Sequence, residues 1–295
     1  MARGQRKQTS VCMQPGRAAL IIATVIAVVN QKGGVGKTTT AVNLGACLAA
    51  EGQRVLVVDL DPQGNATTGL GVDKRSLHGT VYQCLREATS LAPVIHATSV
   101  EGLHLAPTTV DLAGAEIELV SEFARETRLR SCLEGVLGDY DYVFLDSPPS
   151  LGLLTVNCLP AADSVLVPIQ CEYYALEGLS QLQHTLGLIR RMLNPRLEVF
   201  GVVLTMYDAR TRLSAEVADE VRRHFGERVF ESVIPRSVKL SEAPISGTPI
   251  ISYAPENRGA VAYQALAREV MERGSRQGDP VPDPHRDLVG AGAAV

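Results

Sequence analysis

The 295-residue chain has no tryptophan, and aromatic residues make up only 4% of it. Aliphatic residues must therefore build the core, and a hydrophobic content of 45% suits a Val/Leu/Ala-rich parallel sheet. Its six cysteines (Cys12, Cys47, Cys84, Cys132, Cys158, Cys171) are scattered, with no C-x-x-C pair. That spacing excludes a disulfide framework or zinc site and fits a reducing compartment. Positive charge is not in excess either. Lys and Arg number 28 against 32 acids, a formal charge of −4, so any nucleic-acid site must be a local patch. No apolar run reaches the roughly 20 residues needed to span a bilayer. Ala18 to Val29, with Arg3, Arg6 and Lys7 ahead of it, imitates a signal peptide. The run flows directly into a glycine-rich turn, however, and cleavage there would destroy the first strand. The expected location is cytoplasmic.

That turn is the most informative feature present: Lys32-Gly33-Gly34-Val35-Gly36-Lys37-Thr38-Thr39-Thr40. It meets the phosphate-loop pattern G-x-x-x-x-G-K-[ST] once the first glycine is relaxed to Lys32-Gly33. Such a turn between strand and helix aims consecutive backbone N–H groups at phosphate. Lys37 adds a point charge for the β- and γ-phosphates, and the Thr38 hydroxyl is placed for Mg²⁺. Thr24 to Asn30 reads as a buried β-branched strand, and Lys37 to Ala50 as a helix stopped by Gly52. The expected nucleotide contacts are Lys32, Gly33, Gly34, Val35, Gly36, Lys37, Thr38 and Thr39.

The length allows one large α/β domain or two small ones. Residues 1–20 are basic and Gly/Pro-punctuated, and 274–295 are Pro- and Gly-rich, so both read as disordered; residues 21–273 form the expected domain. Within it, Val55 to Leu60, Tyr142 to Leu145, Val165 to Ile169 and Val199 to Thr205 are expected parallel strands. Ser214 is an expected cap for a helix with Val217, Val221 and Phe225 at helical spacing, ended by Gly226, and Ala262, Leu266 and Val270 mark the last helix. There is no internal repeat. The alternation predicts an α/β doubly wound, mostly parallel sheet with ligands at the strands' carboxyl ends.

Two acidic segments follow apolar strands. In Asp59-Leu60-Asp61-Pro62-Gln63-Gly64-Asn65 the two aspartates share a side and face the expected cleft. Asp141-Tyr142-Val143-Phe144-Leu145-Asp146-Ser147-Pro148-Pro149-Ser150 has Walker B form, delivering Asp146 to the Mg²⁺ side before two prolines deny helix to the following switch. No Gln or Glu offers a strong base, so slow turnover is expected until a partner completes the site.

The loop with its second lysine resembles the deviant Walker A family of ParA-type partition ATPases, MinD-type division-site ATPases and the nitrogenase iron protein. The resemblance implies that Lys32 crosses a dimer interface to the partner's nucleotide, like an arginine finger. It implies that Asp61 positions the hydrolytic water and that Asp59 supports the Mg²⁺ shell. Many relatives have Cys at Ser147. Leu204-Thr205-Met206-Tyr207-Asp208-Ala209-Arg210-Thr211-Arg212 and Val233-Ile234-Pro235-Arg236-Ser237-Val238-Lys239-Leu240-Ser241-Glu242-Ala243-Pro244 resemble the chromosomal ParA group, often called Soj. In relatives the loop at Met206 and the Pro235-Arg236 turn enclose adenine, and positions matching Arg210 and Lys239 bind DNA, with Arg212 and Arg236 as lesser candidates. Solvated surface charge is the competing reading of these basic residues.

The function implied is a DNA-partition ATPase, acting on a chromosome or plasmid, that uses ATP and Mg²⁺. ATP would join two subunits, the dimer would bind DNA non-specifically on the nucleoid, and a ParB-type partner would trigger hydrolysis and release. A MinD-like membrane-surface ATPase calls for a C-terminal amphipathic helix. Here the last basic residue is Arg286 and the tail ends in small residues, so no membrane partner is expected. An iron–sulfur carrier calls for paired cysteines, and Cys158 and Cys171 lack the expected surroundings. A metabolic ligase on the same fold is a further alternative.

Overall fold

The computed structural model describes residues 23–150, 152–172 and 177–277. The expected basic extension at 1–20 and residues 278–295 of the expected tail lie outside them. Eight strands run β1 Thr24–Val28, β2 Val55–Asp59, β3 His96–Ala97, β4 Leu103–Ala106, β5 Tyr142–Asp146, β6 Ser164–Gln170, β7 Glu198–Tyr207 and β8 Val229–Pro235. The helices are α1 Lys37–Ala50, α2 Asn65–Gly69, α3 Val81–Glu87, α4 Leu112–Glu118, α5 Arg128–Glu134, α6 Leu153–Ala161, α7 Glu177–Met192, α8 Arg212–Phe225, α9 Val238–Glu242, α10 Ile250–Tyr253 and α11 Arg258–Gln277.

The strands form one sheet in the order β3-β4-β2-β5-β1-β6-β7-β8. Every pairing is parallel except the two-residue β3–β4 contact. Because side chains alternate along a strand, each central strand feeds both faces. Val25, Ala27, Leu56 and Val58 pack with α3 to α8, whereas Ile26, Val28, Val55 and Val57 pack with α1, α2 and α9 to α11. Both faces are covered, and β1, β2 and β5 consequently lack the polar alternation of a one-sided sheet. Helix α1 is buried on almost every side, with Leu44 and Leu48 fully enclosed. Each such leucine contributes about 1.5–3 kcal/mol relative to exposure. Gly45 lets α1 lie close to the sheet, since a Cβ there would meet Val57 Cγ2 at 3.3 Å.

Three sequence expectations change. Thr211, not Ser214, caps α8: its side chain accepts from Ser214 N, while Ser214 sits buried in the first turn. Helix α11 continues through Gly274 to Gln277, past the expected boundary. Gly274 marks a close approach instead, because a Cβ there would lie 3.1 Å from Tyr142 Oη. Strands β3, β4 and β8 were not anticipated. With β1 central and the order running outward both ways, the crevice lies beyond the carboxyl ends of β1, β2, β5 and β7.

Candidate active site

The phosphate loop leaves the end of β1 and enters α1, with φ of +74° at Gly34 and +91° at Gly36, a region glycine adopts without cost. Both ends of the turn are anchored. Asn30 Nδ2 donates to Pro168 O at 2.7 Å and Asn30 Oδ1 accepts from Lys32 N at 3.0 Å. Across the crevice, Thr205 Oγ1 donates to Val35 O at 2.8 Å, tying the loop to β7. The first N–H groups of α1 have no side-chain cap, so they remain directed at the crevice.

Lys37 is 7% exposed, and its Nζ donates to Lys32 O at 3.3 Å. Burial pulls its pKa down, while Asp146 and Asp61 act in the opposite direction. Lys32 is half-buried, and its ammonium has no ion-pair partner among the described residues. Gly33 is exposed beside it, where an added Cβ would meet only Pro149 Cβ at 3.9 Å.

The structure brings the acidic residues together by strand register. Asp59 ends β2 directly opposite Asp146, which ends β5. Both are fully buried, and burial raises both pKa values, Asp59 to about 6 and Asp146 well above the usual carboxylate range. Their environments then diverge. Asp59 Oδ2 accepts from Thr67 N and Thr67 Oγ1, each at 2.7 Å, and Oδ1 accepts from Asp61 N at 3.3 Å. Among the described residues Asp146 has no partner at hydrogen-bonding geometry on either oxygen; Thr38 and Lys37 are the neighbours that favour its charged form. Asp61 is 8% exposed, faces the cavity and accepts from Gln63 N. Ser147 Oγ donates to Val28 O, so the position performs a local structural task.

An uncompensated buried carboxylate is costly. The two orphaned Asp146 oxygens, next to the Thr38 hydroxyl, form an all-oxygen donor set of the kind Mg²⁺ accepts together with phosphate and water. Among the described residues no group of three His, Cys, Asp or Glu side chains is placed to hold a metal alone. Cys158 and Cys171 are buried, and burial pushes the Cys171 thiol up to about 12.

A cavity of about 580 Å³ runs over Gly33 to Thr39 and past Asp61 to Met206. A second of about 290 Å³ adjoins it through Gly36, Thr39 and Met206 and is closed by Pro235, Arg236 and Tyr263. Met206 adopts φ +51°, a left-handed conformation uncommon for a non-glycine residue, at the shared wall. The loop and the Met206 and Pro235-Arg236 segments, distant in sequence, thus form one trough.

The basic candidates behave differently. Arg210 is 87% exposed and grips Asp208 bidentately at 2.9 and 2.7 Å. Arg212 pairs with Glu216, Lys239 with Glu242 and Arg236 with Glu172. Arg210 and Arg236 line one concavity of about 240 Å³ with Arg258, a residue the sequence reading missed; that lining does not include Arg212 or Lys239. Thr67, which completes the Asp59 environment, was missed as well, since nothing in Asn65 to Gly69 signals a carboxylate partner.

Residues 23–199 match a family model described as an AAA domain. The chain is 57% identical over 250 residues to the sporulation initiation inhibitor protein Soj of Bacillus subtilis, covering 85% of this chain and 99% of that protein. It is 51% identical over 252 residues to the chromosome partitioning protein ParA of Myxococcus xanthus, covering 85% and 89% respectively. Among solved structures it is similar to a cobyrinic acid a,c-diamide synthase from Mycobacterium smegmatis with bound ADP and magnesium, at TM-score 0.76 and 38% identity over 88% of this chain and 98% of that one. It is also similar to the cell division ATPase MinD of Pyrococcus furiosus, at TM-score 0.71 and 26% identity over 85% and 99%. With its phosphate loop, paired strand-end carboxylates and near full-length identity to these relatives, the chain belongs to the ParA/Soj family of chromosome-partitioning ATPases.

Proposed function

We propose that this chain is a DNA-partition ATPase that forms an ATP-sandwich dimer, binds DNA non-specifically and is released when a ParB-type partner stimulates hydrolysis. The observation that carries the reading is the continuous trough, which offers N–H groups and Lys37 at one end and an enclosed chamber at Met206 and Pro235 at the other. Those ends match the triphosphate and the base of ATP. Thr38 and Asp146 would hold Mg²⁺, which would supply charge neutralisation to the triphosphate. Asp59, already saturated by Thr67 and Asp61 N, fixes the segment beside it, and Asp61 orients the attacking water. Lys32 completes the partner subunit's site, a role supported by its unpaired ammonium next to exposed Gly33. The protein acts in the cytoplasm on nucleoid DNA.

The candidate DNA residues are paired with acids on the isolated subunit, and this does not count against them. An exposed ion pair contributes about 0–1 kcal/mol, so a phosphate can take the place of Asp208 on Arg210. A membrane-surface role has less support, since identity to MinD is 26% against 57% to Soj.

Asp61→Ala tests the reading. Water loses its orienting group while the phosphate contacts remain, so turnover with partner and DNA should fall by about 10²–10⁴-fold. The ATP-bound protein should stay on DNA. Wild-type turnover in that variant contradicts the assignment.

A further inference from the structure

Helix α4 and the turn after it carry a surface that the ATPase site does not use. Ile117, Val120 and Phe123 are 79%, 57% and 94% exposed, and Val110 just ahead of the helix is 72% exposed. Isolated exposed apolar residues need no explanation, but several on one short segment mark a contact surface. The charge around them is mostly acidic, with Arg125 as a cation at the turn, where its guanidinium donates to Val120 O and pairs with Glu126. Residues 107–124 include Asp111, Glu116, Glu118 and Glu122 and no Lys, Arg or His. Of these acids Glu122 pairs with Arg128, and Glu118 accepts from Tyr82 Oη at 2.9 Å. Asp111, Glu116 and Glu118 have no cationic partner among the described residues.

The segment also touches both carboxylate-bearing elements of the site. At its leading end, Thr108 N donates to Thr67 Oγ1 at 3.0 Å, and the same hydroxyl donates to Asp59 Oδ2 at 2.7 Å. At its middle, Glu116 Oε1 is buried without a hydrogen-bond partner among the described residues and packs on the backbone of Gly152, where a Cβ would meet it at 2.0 Å. Gly152 follows the Pro148-Pro149-Ser150 switch that leads away from Asp146. Through Thr67 on one side and Gly152 on the other, the stretch from Thr108 into α4 therefore bridges Asp59 and the segment after Asp146.

We propose that the exposed face of α4 and its following turn is the docking site of the activating protein, recognised as a basic segment with an apolar anchor. The inference rests on the partner-stimulated reading above and assigns a place to it. Apolar groups of the partner cover Ile117, Val120 and Phe123, and its cations meet Asp111, Glu116 and Glu118. A cation drawn to Glu116 takes that side chain off Gly152 and frees the switch to reorder at Asp146. The mechanism requires no base from this chain, in keeping with a site that has none.

The test uses the full-length chain and two probes, a ParB-type protein of the same organism and its isolated basic N-terminal peptide. The double variant Ile117→Ser/Phe123→Ser removes exposed side chains only, so ATP affinity and unstimulated turnover should match wild type. Peptide affinity by fluorescence anisotropy should fall about tenfold or more, and stimulation should be lost. Glu118→Lys should weaken binding of the native peptide, and a peptide with an acidic residue exchanged for a basic one should recover part of it. Stimulation of the double variant equal to wild type overturns the docking site while leaving the partition reading intact. Loss of ATP-dependent dimerisation in the double variant assigns the face to a second copy of this chain and overturns it too. A wild type that neither protein nor peptide stimulates removes the partition reading and the docking site together.

Discussion

The crevice at the strand ends and the arginine surface after β7 hold charge in opposite ways. In the crevice, Lys37, Asp59 and Asp146 are buried, and Asp146 has no hydrogen-bond partner among the described residues. On the surface, Arg210, Arg212, Arg236 and Lys239 lie in water, and each has an acid of its own. Desolvated charge without compensation is retained only where a ligand supplies it, because the folded chain gains nothing from leaving it unpaired. Solvated pairs cost little to form or break, so a phosphate exchanges with them according to salt. The first region commits the protein to a nucleotide. The second is suited to a reversible, sequence-indifferent grip.

That contrast sets the scale of what mutation should do. Lys37→Ala acts in the crevice and should have the largest effect, lowering ATP affinity on the order of a hundredfold by calorimetry. An ATP affinity near wild type would mean that the buried lysine does not face phosphate. Gly33→Val probes the rim of the same crevice. The subunit accommodates the side chain, since an added Cβ would meet Pro149 Cβ at an ordinary 3.9 Å, so unfolding free energy should shift by less than about 0.5 kcal/mol. ATP should still bind, but light scattering should find a monomer, because two loops can no longer meet at that position. Normal ATP-dependent dimers would break the sandwich model. Arg210→Ala belongs to the exposed region and should have the smallest effect on the isolated protein, with ATP binding and dimerisation unchanged. Across a symmetric dimer it removes two phosphate contacts, so the slope of log K against log salt should become shallower by roughly 1.8. An unchanged slope would show that the Arg210–Asp208 pair is only surface charge.

The crevice was also the more legible region in the sequence. Lys32 to Thr40 reports its geometry locally, because a tight glycine turn before a helix has few alternatives, and α1 begins and ends at the expected Lys37 and Ala50. Strands β2, β5, β6 and β7 were visible as apolar runs because burial on both faces removes polar residues from them. Strand β8 escaped notice because it is the sheet edge, with Glu231 exposed within it. Strand β4 was too short, and its His104 interrupted the run. Thr211 displaced Ser214 as the cap by one turn, a choice between two adequate hydroxyl residues that tertiary packing made when Ser214 Oγ was drawn to Cys171 O. Gly274 opens the Pro- and Gly-rich stretch that the sequence assigns to the tail, whereas in the fold it lies in α11 close to Tyr142 Oη. Thr67 beside Asp59, Arg258 beside Arg210 and the acids that pair with the basic surface are all products of the tertiary arrangement, and no local pattern announces them.

The nucleotide in the buried crevice is expected to govern DNA binding on the exposed face. Co-sedimentation of the full-length protein with non-specific double-stranded DNA, compared with ATP, with ADP and without nucleotide, tests it most directly. Binding should be salt-sensitive with ATP and weak with ADP or no nucleotide, because only the ATP dimer would bring the basic residues of two subunits onto one face of a chain whose formal charge is −4. Equal binding in all three conditions would contradict it.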